Sequence, residues 1–122
     1  LVYAVNTDAQ YHKASRVWLL EGLRGSTRVI GMPWVSLLGF VRISTHPRIF
    51  ANPLEAEQAI SVVNAWLSYP RVVTLSLHGS LLAGLLAESG TAGNLTNDAH
   101  LAALALEFDA TVVTFDRDFG RF

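Results

Sequence analysis

The sequence predicts a three-layer α/β domain with a central parallel sheet. Three observations predict it. Short apolar, β-branched runs occur at residues 28–32, 71–75 and 111–114. Segments of helical period stand between them. The runs are compact and continuous rather than alternating, as strands buried on both faces are. In such sheets the ligand site lies at the carboxyl ends of the strands.

The elements follow in order. Thr7 and Asp8 can cap a helix over residues 8–24, with Tyr11, Ala14, Trp18 and Leu23 on one side and Gly25 as its stop. Residues 28–32, Arg-Val-Ile-Gly-Met, read as a buried strand. Pro33 suits the first turn of a helix. That helix should end before Pro47, because the residue ahead of proline avoids helical geometry. Pro53 precedes a helix over 54–68, with Glu55 and Glu57 in the first turn, where acids favour the macrodipole. Its stripe is Ala59, Val62, Val63, Trp66 and Leu67. A strand over 71–75 and a helix over 79–89 follow, then a loop at 90–94. A helix over 95–108 carries Leu101, Leu104, Ala105 and Phe108. Residues 111–114, Thr-Val-Val-Thr, are the clearest strand pattern in the chain, and a turn begins at Asp116.

Composition narrows the function classes. The length of 122 residues fits one domain, and a 51% hydrophobic content supports a core without staples. There is no cysteine, which excludes disulfides, thiolate zinc sites and cysteine nucleophiles and fits a reducing cytoplasm. The formal net charge of −1 means that any nucleic acid is held by local arginines or by metal rather than by the overall field. The longest uncharged stretch, from Val72 to Ala87, contains His78, Gly79 and serines and is too short and polar to span a membrane. There is no phosphate-binding glycine loop and no serine elbow. The histidines at 12, 46 and 78 form no metal-ligand spacing. The chain opens directly on apolar Leu1-Val-Tyr-Ala-Val, which reads as a start inside a structural element.

Chemistry concentrates near the end of the chain. Asp116 and Asp118 follow the third strand pattern, and Asp98 lies in the first turn of the preceding helix. One helix-to-strand return can bring these places together. Three facing carboxylates repel unless a cation neutralises them. Oxygen-only ligands suit Mg²⁺ or Mn²⁺. A plainer reading stands beside this one. Asp98 can be a first-turn helix acid, and the other two can be ordinary turn residues.

Residues 96–105, Thr-Asn-Asp-Ala-His-Leu-Ala-Ala-Leu-Ala, followed by 111–119, Thr-Val-Val-Thr-Phe-Asp-Arg-Asp-Phe, resemble the C-terminal signature of PIN domains. That signature puts an acid at the start of an alanine-rich helix, then a strand ending in Thr-x-Asp-x-Asp-Phe. Residues 33–47, Pro-Trp-Val-Ser-Leu-Leu-Gly-Phe-Val-Arg-Ile-Ser-Thr-His-Pro, and 1–6, Leu-Val-Tyr-Ala-Val-Asn, resemble a subfamily of the VapC toxins of toxin–antitoxin pairs. The resemblance covers the chain as a single PIN-like domain, 1–122, and implies a Mg²⁺- or Mn²⁺-dependent endoribonuclease in the cytoplasm, acting on tRNA or rRNA. It also implies a VapB-type antitoxin and a homodimer. By resemblance, Asp98 and Asp116 are metal ligands, and Asp118 completes the catalytic acids. Thr114 matches the family's threonine two before the aspartate, and either bonds a metal water or ligand or is only a strand residue. Asn97 either binds a metal water or the RNA backbone or helps cap the helix. Arg42, Arg117 and Arg121 either meet phosphates or stay solvated.

Two departures stand out. The family's first-strand aspartate falls just before Leu1, so the first, central strand is expected to be missing from these residues. The family's glutamate three residues before an arginine falls on Gly39, three before Arg42. These departures favour an alternative: a catalytically degenerate PIN-fold module that binds antitoxin or RNA without cleavage.

Overall fold

A computed structural model of the chain describes residues 1–25, 27–76 and 96–117. The chain divides into two compact units, Leu1–Thr74 and Leu75–Phe122. Among the described residues the first unit holds α1 (Val2–Val5), α2 (His12–Arg24), β1 (Ile30–Gly31), α3 (Trp34–Ser44), α4 (Ala56–Leu67) and β2 (Val72–Val73). The second holds α5 (Thr96–Glu107). The expected helix over 79–89 and loop over 90–94 lie outside the described residues. No helix among the described residues is long and apolar enough to cross a membrane.

The predicted α/β class holds, with helices around a parallel pair. β1 and β2 pair Ile30 with Val72 and Gly31 with Val73. The Ile30 N–H donates to the Arg71 carbonyl at 2.9 Å, and the Met32 N–H donates to the Val73 carbonyl at 2.8 Å. Both expected strands are therefore in place, though each ladder is shorter than its apolar run. The third expected strand, 111–114, is not in a ladder among the described residues. β-branching favours extended backbone, but a strand is defined by a neighbour, and no neighbour is hydrogen-bonded to this run there.

The core of the first unit joins both strands to three helices. Leu19 and Leu23 from α2, Leu37 and Phe40 from α3, and Ala59, Val63 and Trp66 from α4 meet Ile30, Met32 and Val72. Phe40 and Trp66 are stacked at a tilt, with ring centroids 4.8 Å apart. Gly22 allows the close approach of α2 to β1, because a β-carbon there would stand 2.7 Å from Ile30 Cδ1.

Helix α4 matches its sequence pattern closely. Ala59, Val63 and Trp66 are buried at helical spacing, with Val62 and Leu67 packed beside them. Its start is a capping box, in which the Glu55 N–H donates to Gln58 Oε1 at 2.8 Å and the Glu55 side chain accepts from the Gln58 backbone. Helix α3 also begins where expected, with Pro33 just ahead of its first turn, and it ends before Pro47.

Helix α2 departs from expectation at its start and in its face. Thr7 and Asp8 do not cap it. The Asp8 N–H donates instead to Asn6 Oδ1 at 3.2 Å, closing a side-chain turn, and the helix begins at His12. Its buried residues are Leu19 and Leu23, whereas Tyr11 and Trp18 are 40% and 38% exposed. The short α1 falls in the opening apolar run, expected to lie inside an element but with no sign of helix. It is tied to α2 by the His12 Nδ1–H bond to the Tyr3 carbonyl at 2.7 Å and by a Tyr3–Tyr11 ring contact.

In the second unit α5 carries the alanine-rich signature. Ala99, Ala102, Ala103 and Leu104 are buried. The expected stripe is therefore shifted: Leu104 is buried, Leu101 and Ala105 are partly buried, and Phe108 is exposed. Small side chains here permit close backbone packing that large ones would block. The helix closes on Asp109 in the left-handed region, φ 49°. The Ala110 N–H donates to the Ala105 carbonyl at 2.7 Å, and the Asp109 N–H to the Leu106 carbonyl at 3.4 Å. This is a Schellman closure built on a residue other than glycine.

Candidate metal site

Asp98 stands in the first turn of α5 and is half-buried. The helix start favours its negative charge through the unpaired N–H groups of the first turn. The buried Ala99 follows it, and Ala102 and Ala103 continue the same tightly packed stretch. Asn97 is exposed one residue earlier.

Asp116 is exposed and follows the Thr-Val-Val-Thr run. Its N–H donates to Thr114 Oγ1 at 3.0 Å. The hydroxyl of a residue two positions earlier thus fixes the backbone that carries the carboxylate, a local turn that threonine forms and valine cannot. Thr114 is therefore bonded to the backbone that carries Asp116, and the Thr-x-Asp spacing is the sequence signal for that bond.

Arg117 is exposed beside Asp116, and Arg42 is exposed in the last turn of α3 in the other unit. Asp118 and Arg121 lie outside the described residues. Gly39 occupies the middle of α3, and a β-carbon added there would meet nothing within 4 Å. Among the described residues no group of three or more His, Cys, Asp or Glu is placed to hold a metal ion.

The donor chemistry of Asp98 and Asp116 nevertheless fits a small hard cation. Both offer oxygen alone. Mg²⁺ commonly takes only one or two carboxylates and keeps several waters, so a full cage of protein ligands is not required.

Helices packed on a parallel strand pair define an α/β domain. The PIN domain family model matches residues 1–122, and the chain belongs to that family. Curated relatives narrow the likeness further. The chain is 49% identical to Ribonuclease VapC37 of Mycobacterium tuberculosis, across 100% of this chain and 86% of that protein. It is 42% identical to Ribonuclease VapC33 of the same organism, across 100% of this chain and 87% of the relative. It is 38% identical to Ribonuclease VapC43, across 100% and 84%.

Proposed function

We propose that this chain is a single PIN domain acting as a Mg²⁺- or Mn²⁺-dependent endoribonuclease toxin on RNA of the tRNA or rRNA class. The observation that carries the reading is the pair of acids in their local settings: Asp98 in the first turn of the alanine-rich helix, and Asp116 with its backbone held by Thr114. The ribonuclease names of relatives up to 49% identical support the same reading.

Asp98 and Asp116 would hold the ion, with Asp118 completing the acidic set. A bound divalent ion supplies Lewis-acid polarisation of the phosphodiester and a more acidic water. The chain's own residues do the rest. The carboxylates create the local negative charge that draws a cation into a domain of small net charge. Thr114 fixes the backbone of Asp116, so that its side chain leaves from a defined point. Arg117 and Arg42 offer planar forks matched to phosphate oxygens. Asn97 supports the start of α5 or meets the RNA backbone.

The antitoxin of the pair would be of the VapB type, with its C-terminal segment covering the site, and the toxin would act as a homodimer. Exposed Tyr11, at the N-cap of α2, and Val17 and Trp18 on it supply apolar area for such contacts.

The test is cleavage of total tRNA and rRNA by purified, antitoxin-free protein. EDTA should stop cleavage, and Mg²⁺ or Mn²⁺ should restore it. Asp116→Asn keeps the shape of the side chain and removes its charge, and should lower the rate about a hundredfold or more. Cleavage that persists in EDTA and survives Asp116→Asn overturns the assignment.

A second reading is favoured by Gly39, which stands where the family pattern has a glutamate. A domain short of one carboxylate can keep its partner surfaces and lose catalysis. Specific RNA or antitoxin binding without cleavage at any metal concentration selects this reading.

A further inference from the structure

The acids and bases of this chain are segregated. The first unit carries seven Lys and Arg against four Asp and Glu, a formal +3, while the second carries two against six, a formal −4. Within the first unit the segregation is sharper still. There is no acid from residue 22 to residue 54, and none from 58 to 87. The two acids between these stretches, Glu55 and Glu57, stand at the start of α4, where Glu55 is engaged in the capping box.

The parallel register gathers part of this uncompensated charge at one place. Arg28 lies two residues before Ile30, and Arg71 one residue before Val72, the partner of Ile30. Both therefore stand at the amino-terminal end of the β1–β2 pair, where the Arg71 carbonyl accepts from the Ile30 N–H. Arg24 ends α2, on the connection that leads into β1. All three are exposed. None forms an ion pair or side-chain hydrogen bond with a described residue. Glu21, three residues before Arg24 on α2, is the nearest acid along the chain. It can moderate the charge of Arg24, but Arg28 and Arg71 have no acid in their segments.

Charge of one sign without local partners repels itself, and it is relieved by a ligand of opposite charge. Exposed arginines spaced along an edge, with flexible stems and planar forks, suit a string of phosphates better than a single compact anion. We propose that Arg24, Arg28 and Arg71 form a contact surface for the RNA phosphate backbone at the amino-terminal end of the β1–β2 pair, in addition to the carboxylate site. The proposal rests on the reading that this chain takes RNA. It adds where part of the binding free energy originates: a sequence-independent contact made by the first unit.

The experiment uses a single-stranded RNA oligonucleotide of about twenty nucleotides and the Asp116→Asn protein, so that binding is read without cleavage. Affinity is measured across a salt series for this parent and for the same protein carrying Arg24→Gln, Arg28→Gln and Arg71→Gln. Three phosphate contacts to single-stranded RNA correspond to a slope of log K against log salt of about −2, so the variant's slope should be shallower by about that much. Its affinity at low salt should fall about tenfold or more. Urea melts check that the fold is kept. If the triple variant is unfolded, Arg28→Gln and Arg71→Gln separately should each reduce the slope by about 0.7. A parent that binds RNA while the variants keep its affinity and slope overturns this surface and leaves the ribonuclease reading intact. A parent that binds no RNA overturns both.

Discussion

Gly39 lies in the interior of α3, and the space where its β-carbon would stand is open to 4 Å. Alanine there should stabilise the domain. A helix-interior glycine is less favourable than alanine by about 1 kcal/mol, because glycine loses more backbone freedom on folding. At Gly39 no clash opposes this gain, and no new burial enlarges it. Gly39→Ala should therefore gain about 1 kcal/mol, and Gly39→Glu somewhat less, about 0.6 kcal/mol. For a domain of this size 1 kcal/mol corresponds to roughly 4 °C in Tm.

Gly22 is the internal control. It too is helical, but a β-carbon there would stand 2.7 Å from Ile30 Cδ1. Displacing that buried methyl costs about 1 kcal/mol or more, which cancels the propensity gain. Ile30→Val removes the clashing carbon, so Gly22→Ala should cost less in an Ile30→Val background than alone. Urea melts of the five variants measure all of this. If Gly39→Ala is destabilising, or Gly22→Ala gains as much as Gly39→Ala, the reasoning from local space is wrong. The same Gly39→Glu protein carries a functional reading. An added carboxylate should tighten Mn²⁺ binding by calorimetry, and unchanged or weaker binding would show that position 39 does not face the ion.

Three further outcomes follow. Thr114→Val removes the oxygen that accepts the Asp116 N–H. Because the group is exposed, stability should change by about 1 kcal/mol or less, while cleavage drops about tenfold and Thr114→Ser restores it. Asp109→Gly relieves a left-handed aspartate at the negative end of a helix, so it should gain about 1–2 kcal/mol, and a loss in urea melts would contradict the Schellman assignment. Trp66→Ala empties the core beside Phe40 and should cost about 3–5 kcal/mol, measured as a lowered urea midpoint at unchanged m-value, and a midpoint close to the parent's would refute the core assignment.

The parts legible in the sequence are those written in local chemistry. Helix α4 was readable because its apolar residues fall on one face and Glu55 and Gln58 mark its start. The two paired strands were readable as apolar runs, but their length was not, since a ladder depends on what lies alongside. The same dependence explains residues 111–114, whose β-branched pattern states a preference that no ladder fulfils among the described residues. Helix α2 misled because it has apolar residues on two sides. Tyr11 and Trp18 are larger, yet Leu19 and Leu23 are the buried ones. Bulk alone does not say which face meets the core. At the candidate site, the place of Asp98 in the first turn of its helix was legible as an acid opening an alanine-rich run. The arginine edge was not, because it arises from the pairing of residues about forty positions apart, which no local pattern encodes.

The four residues of α1 close a single turn, with the Asn6 N–H bonded to the Val2 carbonyl at 2.9 Å. A helix so short cannot repay the cost of its own nucleation. Its order is borrowed from its surroundings: the His12 bond to the Tyr3 carbonyl and the Tyr3–Tyr11 ring contact tie it to α2, and Val2, Ala4 and Val5 pack against the core. On heating, α1 should be the first of the two to open. Hydrogen exchange at the Asn6 amide should report that opening at a free energy below global unfolding. Removing the His12 ring should speed exchange at Asn6 while leaving the amides of the α4 interior as slow as before.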